Sequence, residues 1–299
     1  MAQILLVVMW SSGFIGAELG TRYATADTLL AWRYAAAAVV VLLLVLMTRT
    51  QIGGPGTPRQ ALIGLLAQFG YLGGIVTGVG LGVPPGTSAL IASLQPLVVA
   101  TVAGRLLGER TTRWQRIGLL VGIVGVALVV GRDLGAGGAP WFAYALTVGG
   151  MLALSAGTLL ERRWRPSRTL LESLAVQTVV TAIAFFVVAG ALGHAAPPAS
   201  PGFWWSVAWV VVLSTFGGYG AYTYVVRHRG ATTASTLLYL TPPTTMLWAY
   251  LMFGDPLTAL GLAGLAVCAV GVALAIGRPH LTAEGRDRGS PGREWRRVG

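Results

Sequence analysis

The sequence predicts an all-α membrane protein with ten transmembrane helices, arranged as two inverted five-helix repeats. Three observations carry that prediction. From Met1 to about Gly277 the chain is cut into ten apolar runs, each near the roughly 20 residues a helix needs to cross a hydrocarbon core about 30 Å thick. All 21 basic residues are arginine, and all but Arg22, Arg33 and Arg132 fall in every second gap or in the C-terminal tail. Shifted by 146 positions, the second half of the chain repeats the pattern of the first.

The elements follow in order. Ala2–Leu19 and Thr28–Met47 are parted by a gap holding only Arg22, and Arg49 closes the second run. Arg59–Leu81 and Pro84–Ala103 come next; Arg105, Arg110, Arg113 and Arg116 mark the following gap before Arg113–Val130. Trp141–Leu160 ends at Arg162, Arg163, Arg165 and Arg168, which separate it from Thr169–Leu192. Phe203–Val226 ends at Arg227 and Arg229, and Ala231–Phe253 and Pro256–Ile276 complete the set. Membrane β-strands alternate apolar and polar residues over only about 10 positions, so they do not account for these runs. Trp141, Trp204 and Trp205 sit near run ends, where interfacial anchors belong.

Basic residues in short loops stay on the cytoplasmic side. Both termini are therefore expected in the cytoplasm, and the protein in a bacterial cytoplasmic (inner) membrane. Met1 abuts the first run without the basic stretch of a signal peptide, so that run is expected to be a span. The formal charge of +11 would suggest nucleic acid in a soluble chain, but here it marks cytoplasmic loops, and no nucleic-acid partner is expected. With 55% hydrophobic and 10% charged residues, ten spans leave no room for a soluble domain of ordinary size. Residues 278–299 are expected to form a basic, disordered cytoplasmic tail within reach of anionic headgroups.

The internal repeat is specific. Leu94–Leu97 (LQPL) meets Leu240–Pro243 (LTPP), Leu106–Glu109 (LLGE) meets Met252–Asp255 (MFGD), and Gly118–Gly131 meets Gly264–Gly277 with GVAL identical. The units are 1–131 and 141–277. Five spans per unit is an odd number, so the second copy enters the membrane in the opposite sense. The loops agree: the gap after the fourth run holds four arginines, its counterpart Gly254–Asp255–Pro256 none. Inverted repeats are a recurring plan among secondary transporters, with the substrate site near the midplane between them.

At these residues the chain resembles the EamA family of the drug/metabolite transporter superfamily. The resemblance rests on Trp10-Ser11-Ser12-Gly13-Phe14-Ile15-Gly16, on Trp32-Arg33-Tyr34, and on the Pro96, Gly108-Glu109, Gly118, Gly125 series with its second copy. It implies ten helices in two inverted units and a central cavity lined mainly by spans 1, 3, 4, 6, 8 and 9. It implies further the export or uptake of small metabolites such as amino acids, with export as the expected direction. One departure is Glu18, where members usually carry a basic residue.

The resemblance puts Trp10 and Ser12 among the substrate-binding candidates. Helical spacing adds Tyr71 (with Gln68 at i, i+3), Gln95 (with Ser88), Tyr219 and Tyr222 (with Thr215), and Trp248 (with Thr241 and Thr245); Tyr239 completes the set. Buried polar groups without partners are costly in hydrocarbon, so each lines a cavity or bonds to a neighbouring helix. Pro96 and the Pro242-Pro243 pair lie inside spans four and nine, where a kink either shapes a central site or only packs. The ladder Gly70, Gly74, Gly78 and Gly82 offers close helix packing or a sliding surface. Glu18 and Arg33 are the gating candidates with Pro96 and Pro242; similar depth leads to an expected Glu18–Arg33 ion pair closing the outer end of the cavity, which either only stabilises the helical hairpin or lets Glu18 exchange a proton.

No catalytic set, cofactor or metal is expected. His194, His228 and His280 lack ligand spacing, Cys268 stands alone, and no GxxxxGK[ST] loop exists for direct ATP drive. Glu109 and Asp255 each follow a glycine at a helix end and read as caps or loop anchors. The reading is a secondary transporter, not an enzyme, whose partners are a small-molecule substrate and membrane lipids, as monomer or homodimer. An uncoupled facilitator and a membrane-embedded lipid- or glycan-modifying enzyme are the alternatives.

Overall fold

The computed structural model describes residues 1–107, 112–136, 138–164, 169–229 and 231–276. All regular structure among them is helical. The cap expectation for Glu109 and the expected tail 278–299 lie outside the described residues. Among the described residues seven helices are long and apolar enough to cross a membrane: Ala2–Thr21, Ala26–Thr48, Thr57–Gly80, Pro85–Ala103, Arg113–Gly135, Trp141–Trp164 and Leu170–Ala191.

The first half opens with α1 (Ala2–Thr21) and α2 (Ala26–Thr48). The third run is not a uniform helix. It reads α3 (Thr57–Gly64), a π-helical stretch π1 (Leu65–Gly70), and α4 (Tyr71–Gly80). The fourth splits into α5 (Pro85–Ala92) and α6 (Gln95–Leu107), and α7 (Arg113–Gly135) closes the half. The second half runs α8 (Trp141–Trp164), α9 (Leu170–Ala191), then α10 (Pro201–Trp209), π2 (Val210–Gly218) and α11 (Tyr219–Arg229). It ends with α12 (Ala231–Leu238), α13 (Thr241–Phe253) and α14 (Ala259–Ile276).

The helix irregularities keep the 146-residue offset. Residues 65–70 map onto 211–216, inside π2. The break between α5 and α6 carries Leu94 N–H to Ile91 O (3.1 Å), and the break between α12 and α13 carries Leu240 N–H to Leu237 O (2.9 Å). Thr112 caps α7 through the Gln115 N–H (3.2 Å), and Thr258, 146 positions on, takes the Gly261 N–H ahead of α14 (3.2 Å).

The two prolines act differently from the sequence expectation. Pro96 and Pro242 are each the second residue of a new helix, where no intrahelical N–H is required and a fixed φ fits. They restart helices and do not bend continuous ones. Gly82 likewise leaves the expected ladder: it lies past α4 with φ +102°, a conformation that suits glycine. Gly70, Gly74 and Gly78 do pack closely on α8, against Ala153, Gly150 and Thr147.

Lipid gives helices no hydrophobic reason to associate, so small residues and interhelical bonds set the contacts. α2 lies along α9, α7 along α14, α4 along α8, α1 along π2, and α5 against α13. Leu29, Leu30, Val76, Val79, Phe185, Phe203 and Val207 fill the interior between α2, α4, α9 and α10. Leu43, Leu46, Leu120, Val124, Ile183, Val187 and Leu251 point outward, the reverse of a water-soluble surface.

Candidate functional site

Arg33 sits about two turns into α2, with 6% of its surface exposed. Its Nη2 donates to Thr215 Oγ1 in π2 (3.2 Å), and its guanidinium lies 5.9 Å from the centre of the Tyr34 ring. Thr215 Oγ1 in turn donates to Val210 O, five residues back, the reach of a π turn (3.0 Å). Two adjoining cavities, of about 60 and 80 Å³, share Arg33, Tyr34, Gln68, Leu72 and Tyr219. The first adds Trp10, Phe14, Tyr71 and Ser214; the second adds Thr178, Thr215 and Phe216.

Both π segments therefore meet at Arg33. Gln68 comes from π1 and Ser214 from π2, and the two positions are 146 apart. α1 can approach because Gly13 and Gly16 face it: a Cβ at Gly13 would press on Ser214 Oγ, and one at Gly16 on Val210 and Trp209. Trp209 Nε1 donates to Ser12 O (3.0 Å), fixing that approach. Trp32 Nε1 donates to Ala195 O (3.1 Å), which holds the turn of α2 that carries Arg33.

A row of amides leads away from the cavity. Gln68 Nε2 donates to Gln177 Oε1 (3.1 Å), Gln177 Nε2 to Gln60 Oε1 (2.7 Å), and Gln60 Nε2 to Glu161 Oε2 (3.4 Å). Gln68 Oε1, at the near end, is buried and has no hydrogen-bond partner.

The expected Glu18–Arg33 pair does not form. Glu18 Oε1 accepts from Arg22 Nε and Nη2 (3.1 Å each), one helical turn along α1, and the Arg22 guanidinium stacks 4.4 Å above the Phe253 ring. Antiparallel neighbours at equal depth need not present the same face, and a partner at i+4 is always within reach. Asp255, in the segment after α13, is held above the usual carboxylate range by burial and then by the Glu18 charge, with Arg22 acting against both.

The remaining expected site residues scatter. Trp10, Tyr71 and Tyr219 gather with Arg33 at the cavity, Tyr219 at its accessible rim with 43% exposed. Tyr222 packs behind Trp10 (ring centres 5.8 Å apart). Ser12 Oγ donates to Met9 O in its own helix (2.6 Å), and Gln95 Nε2 to Thr158 Oγ1 of α8 (3.2 Å). Trp248 packs on Trp209 (5.7 Å). Tyr239 and Pro242 line a separate apolar groove of about 420 Å³ with Leu240, Cys268 and Val272. A further cavity of about 130 Å³ lies between Thr87, Arg132, Asp133 and Asp255; there Thr87 Oγ1 donates to Asp133 Oδ2 (2.7 Å) and Arg132 Nη1 to Oδ1 (3.0 Å). Sequence reasoning passed over Tyr34, Ser214 and the Gln60–Gln177 pair. Gln60 and Gln68, eight apart on one run, were the available signal.

A membrane protein, helical throughout its described residues, that holds a small cavity of mostly apolar walls with an arginine and an amide among them fits the architecture of a solute transporter. The EamA-like transporter family profile matches residues 1–131 and 141–277, and the chain belongs to that family. Membership sets it among transporters, not enzymes, with a small-molecule substrate and a membrane setting. It is 24% identical over 295 residues to an "Uncharacterized transporter YyaM" of Bacillus subtilis (92% of this chain, 94% of that one). It is 21% identical to a "Probable amino-acid metabolite efflux pump" of Salmonella typhimurium (90% and 91% covered). A "Probable terminal-alkyne amino-acid exporter" of Streptantibioticus cattleyicolor is 27% identical (98% and 97% covered). One solved crystal structure superposes with a TM-score of 0.66 at 20% identity, over 92% of this chain and 95% of that one; the likeness is one of fold.

Proposed function

We propose that this chain is a secondary transporter that exports small amino-acid-type metabolites across the bacterial cytoplasmic membrane. It would span the membrane ten times as two inverted five-helix units, 1–131 and 141–277, with both termini cytoplasmic. Alternating access would come from rocking one unit against the other around a fixed site. The observation that carries this reading is the cavity at Arg33, to which both halves contribute: Trp10, Gln68 and Tyr71 from the first, Ser214 and Tyr219 from the second. The shared offset of the π segments, the helix breaks and the caps supports the repeat. The relatives named for amino-acid efflux supply the substrate class.

In this reading Trp10, Tyr71 and Tyr219 contact substrate, Pro96 and Pro242 mark the hinges of the two broken spans, and Glu18 with Arg22 and Asp255 forms a charged closure through which proton coupling would run. Purified protein in proteoliposomes, preloaded with an unlabelled amino-acid mixture, should exchange labelled amino acids. Tyr71→Ala and Tyr219→Ala should lower that exchange with unchanged reconstitution. A proton gradient that drives accumulation would separate a coupled exporter from an uncoupled facilitator. Exchange unaffected by either tyrosine would remove this cavity from the transport path.

A further inference from the structure

The charge balance inside the cavity is incomplete in a specific way. Arg33 carries five N–H donors, yet its one side-chain hydrogen bond among the described residues goes to the neutral Thr215 hydroxyl. No carboxylate of the described residues forms an ion pair with it, and Glu18 is engaged by Arg22. An arginine with only 6% of its surface exposed and no anion beside it is costly, and the cavity it lines is where an anion fits.

The amide row supplies the second half. Gln60 presents its NH₂ to Glu161 Oε2 (3.4 Å), which can only accept when that carboxyl is ionised. Gln60 is left with Oε1 for Gln177, Gln177 with Oε1 for Gln68, and Gln68, a residue of the cavity wall, with a buried Oε1 that has no partner. Reversing any one amide would set two oxygens or two NH₂ groups against each other, and reversing all three would place a carbonyl against Glu161. The three amide dipoles run head to tail, with the negative end on Gln68, which belongs to the cavity wall, each bond polarising the next. Gln68 is itself 6% exposed, so bulk water does not satisfy that oxygen.

We propose that the Arg33 guanidinium binds the α-carboxylate, and Gln68 Oε1 the α-ammonium, of an amino-acid zwitterion held in this cavity. The proposal rests on the transporter reading above and names its substrate class. Aromatic rings of Trp10, Tyr71 and Tyr219 then face the ammonium and the side chain. A sugar or nucleoside would leave Arg33 without a counter-charge, an amine would add a second cation, and a simple carboxylic acid would leave Gln68 Oε1 unpaired.

The test uses a matched ligand series on the whole protein in lipid nanodiscs and in proteoliposomes: phenylalanine, phenylalaninamide, phenethylamine and 3-phenylpropanoate, with the corresponding alanine and leucine series. The wild type should bind and exchange the zwitterion of at least one series and favour it over each analogue by about 10- to 100-fold, the range for hydrogen bonds to charged groups. Arg33→Gln should abolish the preference for acid over amide, and Gln68→Leu the preference for amino acid over 3-phenylpropanoate. Gln68→Glu, which brings a counter-charge to Arg33, should shift preference towards phenethylamine. Equal binding of amide or amine and amino acid by the wild type overturns the proposal without requiring any variant to fold. So does Arg33→Gln that keeps the acid preference. Exchange of sugars, nucleosides or amines in place of amino acids overturns the zwitterion site and leaves a transporter; exchange of no solute at all overturns both.

Discussion

The Cys268 thiol donates to the carbonyl oxygen of Gly122 across 3.3 Å, and the two residues are 146 positions apart, the offset of the internal repeat. Around them Gly118 faces Gly271 and Gly125 faces Gly264, pairs that exchange places under the same shift. α7 and α14 thus approach closely enough for glycine to face backbone, with only Cys268, Val129 and Ala275 filling the spaces beside those glycines. Such contact is how helices associate where lipid offers no hydrophobic drive.

A side chain introduced into that seam should separate the helices. Gly118→Leu and Gly125→Leu should each destabilise the protein by about 1–3 kcal/mol, as overpacking does. Cys268, 3% exposed, should resist a water-soluble maleimide in the native protein and react in the two variants. Labelling rate against apparent melting temperature checks both parts; wild-type labelling as fast as that of a denatured control would contradict the seam.

Topology is open to direct measurement. With Cys268 replaced by serine, cysteines at Gly138 and Ala199 should react with impermeant thiol reagent from outside intact cells. A cysteine at Gly53, where a Cβ meets nothing within 4 Å, should react only after permeabilisation. Labelling of Gly53 and Ala199 positions from one side would refute the ten-span arrangement.

Glu18 and Arg33 should behave as independent charges. In a double-mutant cycle with glutamine, their coupling should fall within about 0.3–0.5 kcal/mol of zero, the limit for unconnected sites. Glu18 with Arg22, an exposed i, i+4 pair (24% and 48% exposed side chains), should couple by no more than about 0.3–0.5 kcal/mol. Arg33→Gln alone should affect exchange far more than Glu18→Gln affects stability.

The pH response follows from Asp255. Its folded-state pKa lies above the ordinary value of 3.8, through burial first and Glu18 second. A raised acid binds its proton more tightly folded than unfolded, so this group favours the folded state below the ordinary value. That contribution is lost as pH rises through the raised one. Asp255→Asn should therefore flatten the melting temperature between mildly acidic and neutral pH, and raise it at neutral pH. Glu18→Gln should shift the same titration downward. An unchanged profile in Asp255→Asn would assign the response to another group.

Pro96→Ala and Pro242→Ala should lower transport more than insertion, since each proline stands in a first turn and gives up no hydrogen bond. Full transport by both variants would reduce the breaks to packing features.

Much of this architecture was legible because it is one-dimensional. Apolar run length, arginine placement and the 146-residue offset need no partner, and the prolines marked the places where the fourth and ninth runs are interrupted, although as kinks and not as helix restarts. Trp10, Tyr71, Tyr219 and Arg33 stood out as polar or aromatic groups in apolar runs, and the structure gathers these four. The rest depended on distance in space. Thr215 lies 182 positions from Arg33, and the amide row joins three helices through Gln60, Gln177 and Glu161. Glu18 was misassigned because depth alone was considered, when rotation about the helix axis decides who meets whom. π1 and π2 left no trace in apolar spacing, since a stretch of six or nine residues is too short to show its period.

The π segments also set angular phase. A π ring closes at i+5 where an α ring closes at i+4, so each segment holds surplus residues that turn everything beyond it relative to what precedes it. Each residue of an α-helix advances about 100°. In the third span that turn lets Gln60 face Gln177 before π1 while Tyr71 faces the cavity after it. Deleting a single residue such as Leu66 would relax the stretch to α geometry and rotate one portion against the other by about that angle. The two ends of one helix would then fall out of step, although every side chain but one was kept.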